Sequence, residues 1–375
     1  LCEDIQNVRV LIAPDKFKGS LGAKAVAENI AVGLREVLPD ATVEIIPLAD
    51  GGEGTANVIR EACGGEWVTC AAYDALGRAI ETRYVWLRDR ATAVIEMSEA
   101  AGGRGIAAAE RDLERASTYG VGEMMKHAAR RDAKEILIGL GGSATNDGGF
   151  GMARALGFLF FENDHAFESP GDLVRLTRIA RDESAAGNLP RIIGAADVRN
   201  PLLGERGATR IFGPQKGARP EQLEVLEAAL VRLAEIVRRD LGCDFRETPG
   251  AGAAGGLGFG LMSFCGATIR PGFSVVAEFV GLKAAIDRAD VVITGEGRLD
   301  EQTREGKVPA GVAGMARESG KPVFAIVGSG CDSPAVRNLF DRIFVLARSS
   351  MPLEESMARA GVLLQERARE LAQMM

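Results

Sequence analysis

Several glycine-rich stretches of this chain carry acids, amides and cations in combinations that suit phosphoryl chemistry. APDKFKGS (13–20) presents Asp15, Lys16, Lys18 and Ser20, and PLADGGEGT (47–55) presents Asp50 and Glu53 among three glycines. LIGLGGSATNDGGFG (137–151) strings Gly141, Gly142, Ser143, Thr145 and Asn146 ahead of Asp147. DVRN (197–200) supplies Asp197, Arg199 and Asn200, and the PQKG that follows adds Lys216. ITGEGRLDEQTREGK (293–307) contains Glu296, Arg298, Asp300, Glu301, Thr303 and Lys307. Glycine lets backbone N–H groups approach phosphoryl oxygens closely. Carboxylates together with phosphates suit Mg2+. Lysine and arginine neutralise the charge on a transferring phosphoryl group.

Each residue also has a structural alternative. Lys16 and Lys18 read equally as solvated cations of a loop that opens a helix. Asp147 reads as a helix cap, Asp197 as an Asx-turn, and Glu53 as an acid at the start of a helix beginning near Thr55. Caps and turns do not by themselves explain why Gly–acid–Gly recurs after Ile293 as it does after Leu48. Other chemistries lack their residues. The chain has two histidines, His127 and His165, and His127 reads as a solvated helix residue. HExxH and GxSxG motifs are absent. Gly250, Gly252 and Gly255 spell GxGxxG, but they follow CDFRETP instead of a buried strand, so a dinucleotide fingerprint fails on context. Gly306–Lys307 lacks the first glycine of a Walker A motif, Glu301 standing in its place.

The elements that must position these loops alternate. VRVLIA (8–13) reads as a buried strand, and SLGAKAVAENIAVGLREVL (20–38) as an amphipathic helix with Ser20 as N-cap. TVEIIPLA and GTANVIREAC repeat the pattern, which implies a parallel sheet. Near the C-terminus, ADVVITG, a helix near 307–317, KPVFAIVG and RIFVLA do the same, followed by one long helix from about 353 to 374. In the middle, ETRYVWL and ATAVIEM alternate like antiparallel strands. The expected architecture is α/β with two domains. Residues 1–70 and 286–375 build one from both chain ends, and 71–285 form an inserted second domain. Such chains favour active sites in the interdomain cleft and at the carboxyl ends of parallel strands.

Composition narrows the class. The 375 residues are 46% hydrophobic and 26% charged, with a formal charge of −7. That balance speaks against a duplex-binding protein, which needs a basic footprint. No apolar run approaches the roughly 18 residues of a membrane span. The N-terminus is acidic and lacks a signal-peptide plan. The six cysteines form no CxxC pair, so reduced thiols and a cytoplasmic location are expected.

Six motifs in order, APDKFKGSL, PLADGGEGT, LGGSATNDGG, DVRNPLLGERGA with IFGPQKGA, PGAGAAGGLG and ITGEGRLDEQTREGK, together resemble the class I glycerate kinases of bacteria. The resemblance implies ATP-dependent phosphorylation of D-glycerate with Mg2+, usually to 2-phosphoglycerate. It implies a flavodoxin-like and a restriction-endonuclease-like domain instead of a P-loop fold. On that basis Lys16 and Lys18 meet substrate or γ-phosphate charge. Asp197 meets the attacking hydroxyl, and Asp50 competes as base or metal ligand. Asp15, Ser20, Arg199, Asn200, Lys216 and Arg298 are expected at substrate. Gly141, Gly142, Ser143, Thr145, Asn146, Gly255, Gly256 and Lys307 are expected at nucleotide, and Asp50, Glu296 and Asp300 at metal. The expected partners are D-glycerate and ATP, with no nucleic acid and no membrane. The competing functions are a kinase for another small hydroxy acid, a non-catalytic ligand-binding protein on the same scaffold, and a dinucleotide-dependent oxidoreductase.

Overall fold

A computed structural model describes residues 8–182, 188–300, 307–330, 333–346 and 351–375. The chain divides into two compact units, Leu1–Asp50 with Phe273–Met375, and Gly51–Gly272. The first unit opens with β1 (Arg9–Ile12), α1 (Ala23–Val37) and β2 (Thr42–Ile45). The second contains α2 (Thr55–Cys63), β3 (Glu66–Tyr73), β4 (Ala79–Leu87), β5 (Thr92–Glu96), α3 (Ser98–Ala101), α4 (Tyr119–Arg130), β6 (Glu135–Gly139) and α5 (Phe150–Ala155). It continues with β7 (Phe158–Glu162), β8 (His165–Ala166), β9 (Arg178–Arg181), β10 (Arg191–Ala196), α6 (Ala208–Phe212), α7 (Pro220–Leu241), α8 (Ala253–Cys265) and β11 (Thr268–Pro271). The chain returns through α9 (Gly272–Phe279) and α10 (Leu282–Arg288) to β12 (Val291–Thr294), α11 (Val308–Glu318), β13 (Val323–Val327), α12 (Pro334–Arg337) and β14 (Arg342–Val345). It ends in α13 (Leu353–Ala358) and α14 (Ala360–Ala372). No helix among the described residues is long and apolar enough to cross a membrane.

The first unit's sheet runs β14-β13-β12-β1-β2, all parallel. Numbered within the unit this is the 2-1-3-4-5 order of flavodoxin-like folds, with its switch point between β1 and β12. Wholly buried residues such as Leu11, Ile12, Val292, Ile293 and Ile326 give these strands their continuous apolar runs, as a sheet covered on both faces requires. α14 packs on α1 so closely that a Cβ on Gly33 would stand 2.3 Å from Gln365 O. The C-terminal segment, expected as one helix, breaks between α13 and α14 at Arg359, whose φ and ψ (−99°, 8°) leave the helical region. α1 starts at Ala23 with Gly22 as N-cap. Ser20 does not cap it: its hydroxyl donates to Met357 O (2.7 Å) and ties the loop after β1 to α13.

The second unit's main sheet runs β11-β10-β6-β5-β4-β3. β11, β10, β6 and β5 are parallel, while β4 and β3 are antiparallel. A small β8-β7-β9 sheet stands beside it. The boundaries fall at 50 and 272, not at 70 and 285. The segment through Tyr73 belongs with the second unit because β3 pairs along its length with β4, from Glu66 opposite Trp86 to Tyr73 opposite Ala79. Residues from Phe273 onward belong with the first because the Phe273 ring lies where a Gly311 side chain would be, 2.2 Å from an ideal Cβ.

Two glycine motifs of the second unit fold onto each other. Within the first turn of α8, Ala254, Gly255 and Gly256 are left-handed (φ 54°, 67° and 86°) and interrupt the helix. A Cβ on Gly255 would lie 1.9 Å from Thr145 O, and one on Gly256 2.9 Å from Gly148 Cα. Gly148 N donates to Gly255 O (3.0 Å). Beside this crossing the wholly buried Asp147 accepts from Thr118 N (2.8 Å), Thr118 Oγ1 (2.8 Å), Gly149 N (3.1 Å) and Gly151 N (3.0 Å). It thereby joins the start of α4 to the start of α5. The buried Lys216 amine donates to Thr145 O (2.9 Å). Burial pushes that amine down from its ordinary 10.5 to about 7, against the pull of Asp147.

Two tests follow from this packing. Gly255→Ala adds both a left-handed alanine and a backbone collision, and is expected to cost about 3 kcal/mol or more in urea denaturation. Gly320→Ala, at φ 66° with nothing near its Cβ, isolates the backbone part and should cost only about 1 kcal/mol. For Lys216, the folded protein holds fewer protons than the unfolded chain between about pH 7 and 10.5. Its contribution to stability therefore rises with pH across that window, and is flat below it, where the amine is protonated in both states. Lys216→Met should remove this rise; melting curves of both proteins from pH 6 to 10 that keep parallel slopes would contradict it.

Candidate active site

In the first unit the expected residues gather at the carboxyl ends of β1, β2 and β12. The strands are zipped to their last residues: Ala13 N donates to Ile293 O (2.7 Å), Asp15 N to Gly295 O (2.8 Å), and Thr294 Oγ1 to Ala13 O (2.8 Å). This end of the sheet, at the switch between β1 and β12, is where open α/β sheets bind ligands. Lys16 and Lys18 project from the β1 loop, Asp50 from the β2 loop, and Glu296 and Arg298 from the β12 loop. Lys16 Nζ lies 4.0 Å from Asp50 Oδ1, both side chains about a quarter exposed. Lys18 and Arg298 are exposed, while Glu296 is only 7% exposed. Lys307 Nζ donates to Asp300 Oδ1 (3.1 Å). Asp15 is buried and accepts from Lys16 N (2.6 Å), so it shapes the turn that presents Lys16. Ser20, expected at substrate, has its hydroxyl engaged by Met357 O. Glu301 and Thr303 lie outside the described residues.

In the second unit the loop after Asp50 lies across the carboxyl ends of β10, β6 and β5. A Cβ on Gly51 would stand 2.9 Å from Ala195 O, one on Gly139 2.7 Å from Gly51 O, and one on Gly141 2.4 Å from Gly52 Cα. Only glycine fits at such separations. Glu96, last residue of β5, accepts from Gly54 N (2.9 Å) and Ala56 N (2.8 Å). It supplies the anion at the α2 N-terminus that Glu53 was expected to provide; Glu53 instead pairs with Arg104. Glu96 was legible only as an acid ending the buried strand TAVIE, the pattern that singled out Asp197.

Asp197 is exposed directly after β10, with Arg199 exposed two residues on. Asn200 donates to Arg206 O (2.7 Å) and closes that turn. Gly141, Gly142 and Ser143 follow β6 as an accessible turn, bridged through Ser143 to Gly102. The rest of the set lies deeper. Thr145, Asn146, Gly255 and Gly256 are buried, and Asn146 Nδ2 donates to Thr209 Oγ1 (3.1 Å). Lys216, expected at substrate, holds the loop from beneath through Thr145 O. His127, expected as solvated, is half-buried with Nδ1 3.1 Å from the Tyr84 hydroxyl, and burial lowers its pKa.

Among the described residues no three His, Cys, Asp or Glu side chains cluster as a ready-made metal site. Asp50, Glu296 and Asp300 thus do not form a closed cage. Carboxylates in ones and twos beside a phosphate site fit Mg2+, which keeps several waters and is bound through one or two carboxylates plus substrate phosphates.

The comparisons with known proteins agree along the whole chain. The model of the Glycerate kinase family matches residues 10–375. A glycerate kinase of Halalkalibacterium halodurans is 42% identical over 371 residues, covering 97% of each chain. A glycerate 2-kinase of Escherichia coli is 40% identical over 363 residues, covering 93% of each. A crystal structure of a glycerate kinase 2 from Salmonella typhimurium LT2 superposes with a TM-score of 0.84 at 40% identity, over 98% of each chain. With the ordered loops on two α/β units and a family match from residue 10 to residue 375, this chain belongs to the glycerate kinase family.

Proposed function

We propose that this protein transfers the γ-phosphoryl group of ATP to D-glycerate and releases 2-phosphoglycerate and ADP. The observation that carries the reading is Lys16 against Asp50 (4.0 Å), with Lys18 and Glu296 on the neighbouring β1 and β12 loops, at the switch point of a flavodoxin-like sheet, in a chain of this family. A small anionic acceptor and a polyanionic donor need cations that neutralise without reacting. Lysines on a strand-end loop beside the start of α1 meet that need.

In the reaction a glycerate hydroxyl oxygen bonds to the γ-phosphorus, the bond to the β,γ-bridging oxygen breaks, and the hydroxyl proton passes to a carboxylate. Asp197 and Asp50 are the two candidate acceptors of that proton. Asp197 stands exposed at the tip of a buried strand near Arg199, whereas Asp50 already lies against Lys16. Because Asp50 is already engaged by Lys16 while Asp197 is exposed, Asp197 is assigned the proton and Asp50 the role of holding Lys16. Glu296, Asp50 or Asp300 would hold Mg2+, which when bound would neutralise phosphate charge. The Gly141–Ser143 turn offers backbone N–H groups and a hydroxyl to an anionic group. The thiols Cys63, Cys70, Cys243 and Cys265 suit a reducing cytoplasm.

A coupled ADP-release assay should show turnover with D-glycerate and none with lactate, tartronate or NAD+. Phosphorus and proton NMR of the product should place the phosphoryl group on C2. Folded enzyme that releases no ADP with D-glycerate would falsify the proposal, and a C3 product would correct its regiochemistry. Asp197→Asn is expected to lower kcat by about 10²-fold or more. Asp50→Asn should chiefly raise KM by freeing Lys16. The reverse pattern, kcat lost with Asp50→Asn and kept with Asp197→Asn, would exchange the two roles.

A further inference from the structure

An anion received at the Gly141–Ser143 turn needs a cation, and the turn has none of its own. The stretch 140–149, LGGSATNDGG, contains no Lys, Arg or His. Within the second unit Lys216 lies beneath this stretch, buried, with its amine on Thr145 O (2.9 Å). Arg111 lies beside it and is exposed. A Cβ on Gly103 would stand 3.8 Å from Arg111 Nη2 and 3.7 Å from Ala144 Cβ. The guanidinium and the residue that follows the turn thus border the same glycine.

The arginine is supported along its length. A Cβ on Gly217, the residue after Lys216, would lie 3.6 Å from Arg111 Cβ and 3.8 Å from Arg111 Cδ. Gly217 therefore backs the stem, and Gly103 the head. The segments around it are tied to one another: Ala144 N donates to Ala101 O (2.9 Å), and Gly102 bridges to Ser143. Nearby arginines are already engaged, Arg104 by Glu53 and Arg78 by Asp74 and Glu110. Among the described residues the Arg111 guanidinium has neither a hydrogen bond nor an ion pair. A guanidinium is a planar fork of donors whose geometry matches a carboxylate through two parallel bonds.

Topology selects which anion this fork meets. Leu140 N donates to Ala195 O (3.0 Å), so the β6 and β10 loops leave the sheet side by side, about 4.8 Å apart as neighbouring strands are. Asp197 begins the β10 loop and is assigned the acceptor's hydroxyl. On the other side of β10, β11 runs directly into α9 and has no loop to offer. In a 2-hydroxy acid the carboxylate is bonded to the carbon that bears the hydroxyl, so the group that holds it must stand one loop from Asp197. We propose that Arg111 binds the carboxylate of the acceptor, together with the backbone N–H groups of the Gly141–Ser143 turn. The proposal rests on the reading of the protein as a D-glycerate kinase that uses Asp197. It gives chemistry to a residue outside every glycine motif of the chain.

Steady-state kinetics of the full chain with D-glycerate and ATP test it. Arg111→Met removes the charge at an exposed position, where the fold is little affected. Gly103→Asp keeps the arginine and adds a competing carboxylate beside it. Gly103 is not left-handed, and its Cβ would meet only ordinary contacts, so the fold accepts this change too. Both variants are expected to raise KM for D-glycerate about tenfold or more, with KM for ATP and the calorimetric affinity for ADP unchanged. An unmoved KM for D-glycerate in both folded variants overturns the proposal. So does weakened ADP binding with KM for D-glycerate unmoved, which would give Arg111 to the donor. Wild type that turns over no D-glycerate refutes the kinase reading and this proposal with it. Active wild type beside unaffected variants refutes Arg111 alone.

Discussion

Backbone pressed against backbone, with no room for a Cβ, is the constraint on which both functional loop sets depend. In the second unit Gly51, Gly139 and Gly141 let one loop lie across three strand ends. In the first, Gly297 and Gly328 let three loops share hydrogen bonds as though they were one surface. Strand-end loops are ordinarily the most variable part of an α/β fold. Here they are locked by contacts that every larger residue would break. The rigidity matters for chemistry, since phosphoryl transfer is governed by positioning and electrostatics more than by covalent participation.

The acids of the chain are sorted by what surrounds them. Asp147 and Glu96 are buried and accept from the chain around them, three backbone N–H groups and the Thr118 hydroxyl on Asp147 and two backbone N–H groups at the α2 N-terminus on Glu96. They hold loops in place. Asp50, in the loop after β2, and Asp197, directly after β10, are instead accessible, Asp50 about a fifth exposed and Asp197 exposed. The cations divide in the same way. Lys216 lies inside and holds Thr145 O, whereas Lys18 stands exposed on the loop after β1. A single motif class, glycine with a charged residue, thus serves support in one place and reactivity in another.

Much of the architecture was legible because it is written in local periodicity. VRVLIA, ADVVITG and KPVFAIVG are short apolar runs bounded by polar or glycine residues, and each forms a strand of the parallel sheet. The unit boundaries were not legible, because nothing local tells GTANVIREAC whether it follows β2 or joins β3 and β4; that depends on pairing between Glu66–Tyr73 and Ala79–Leu87. The break at Arg359 was hidden for a similar reason. The apolar stripe continues through it, and only the turn from α13 into α14 separates the two helices.

The sequence by itself determined the family and the residue types available for chemistry. Ordered motifs are covalent facts, and the strand–helix alternation behind them follows from side-chain period alone. Tertiary structure decided which of those residues face a ligand. Ser20 and Lys216 look as available in the sequence as Lys18 and Asp197, yet one donates to Met357 O and the other to Thr145 O. Those acceptors lie 337 and 71 residues away along the chain. Burial and hydrogen-bond partners at such separations are properties of the folded chain, and no local pattern encodes them.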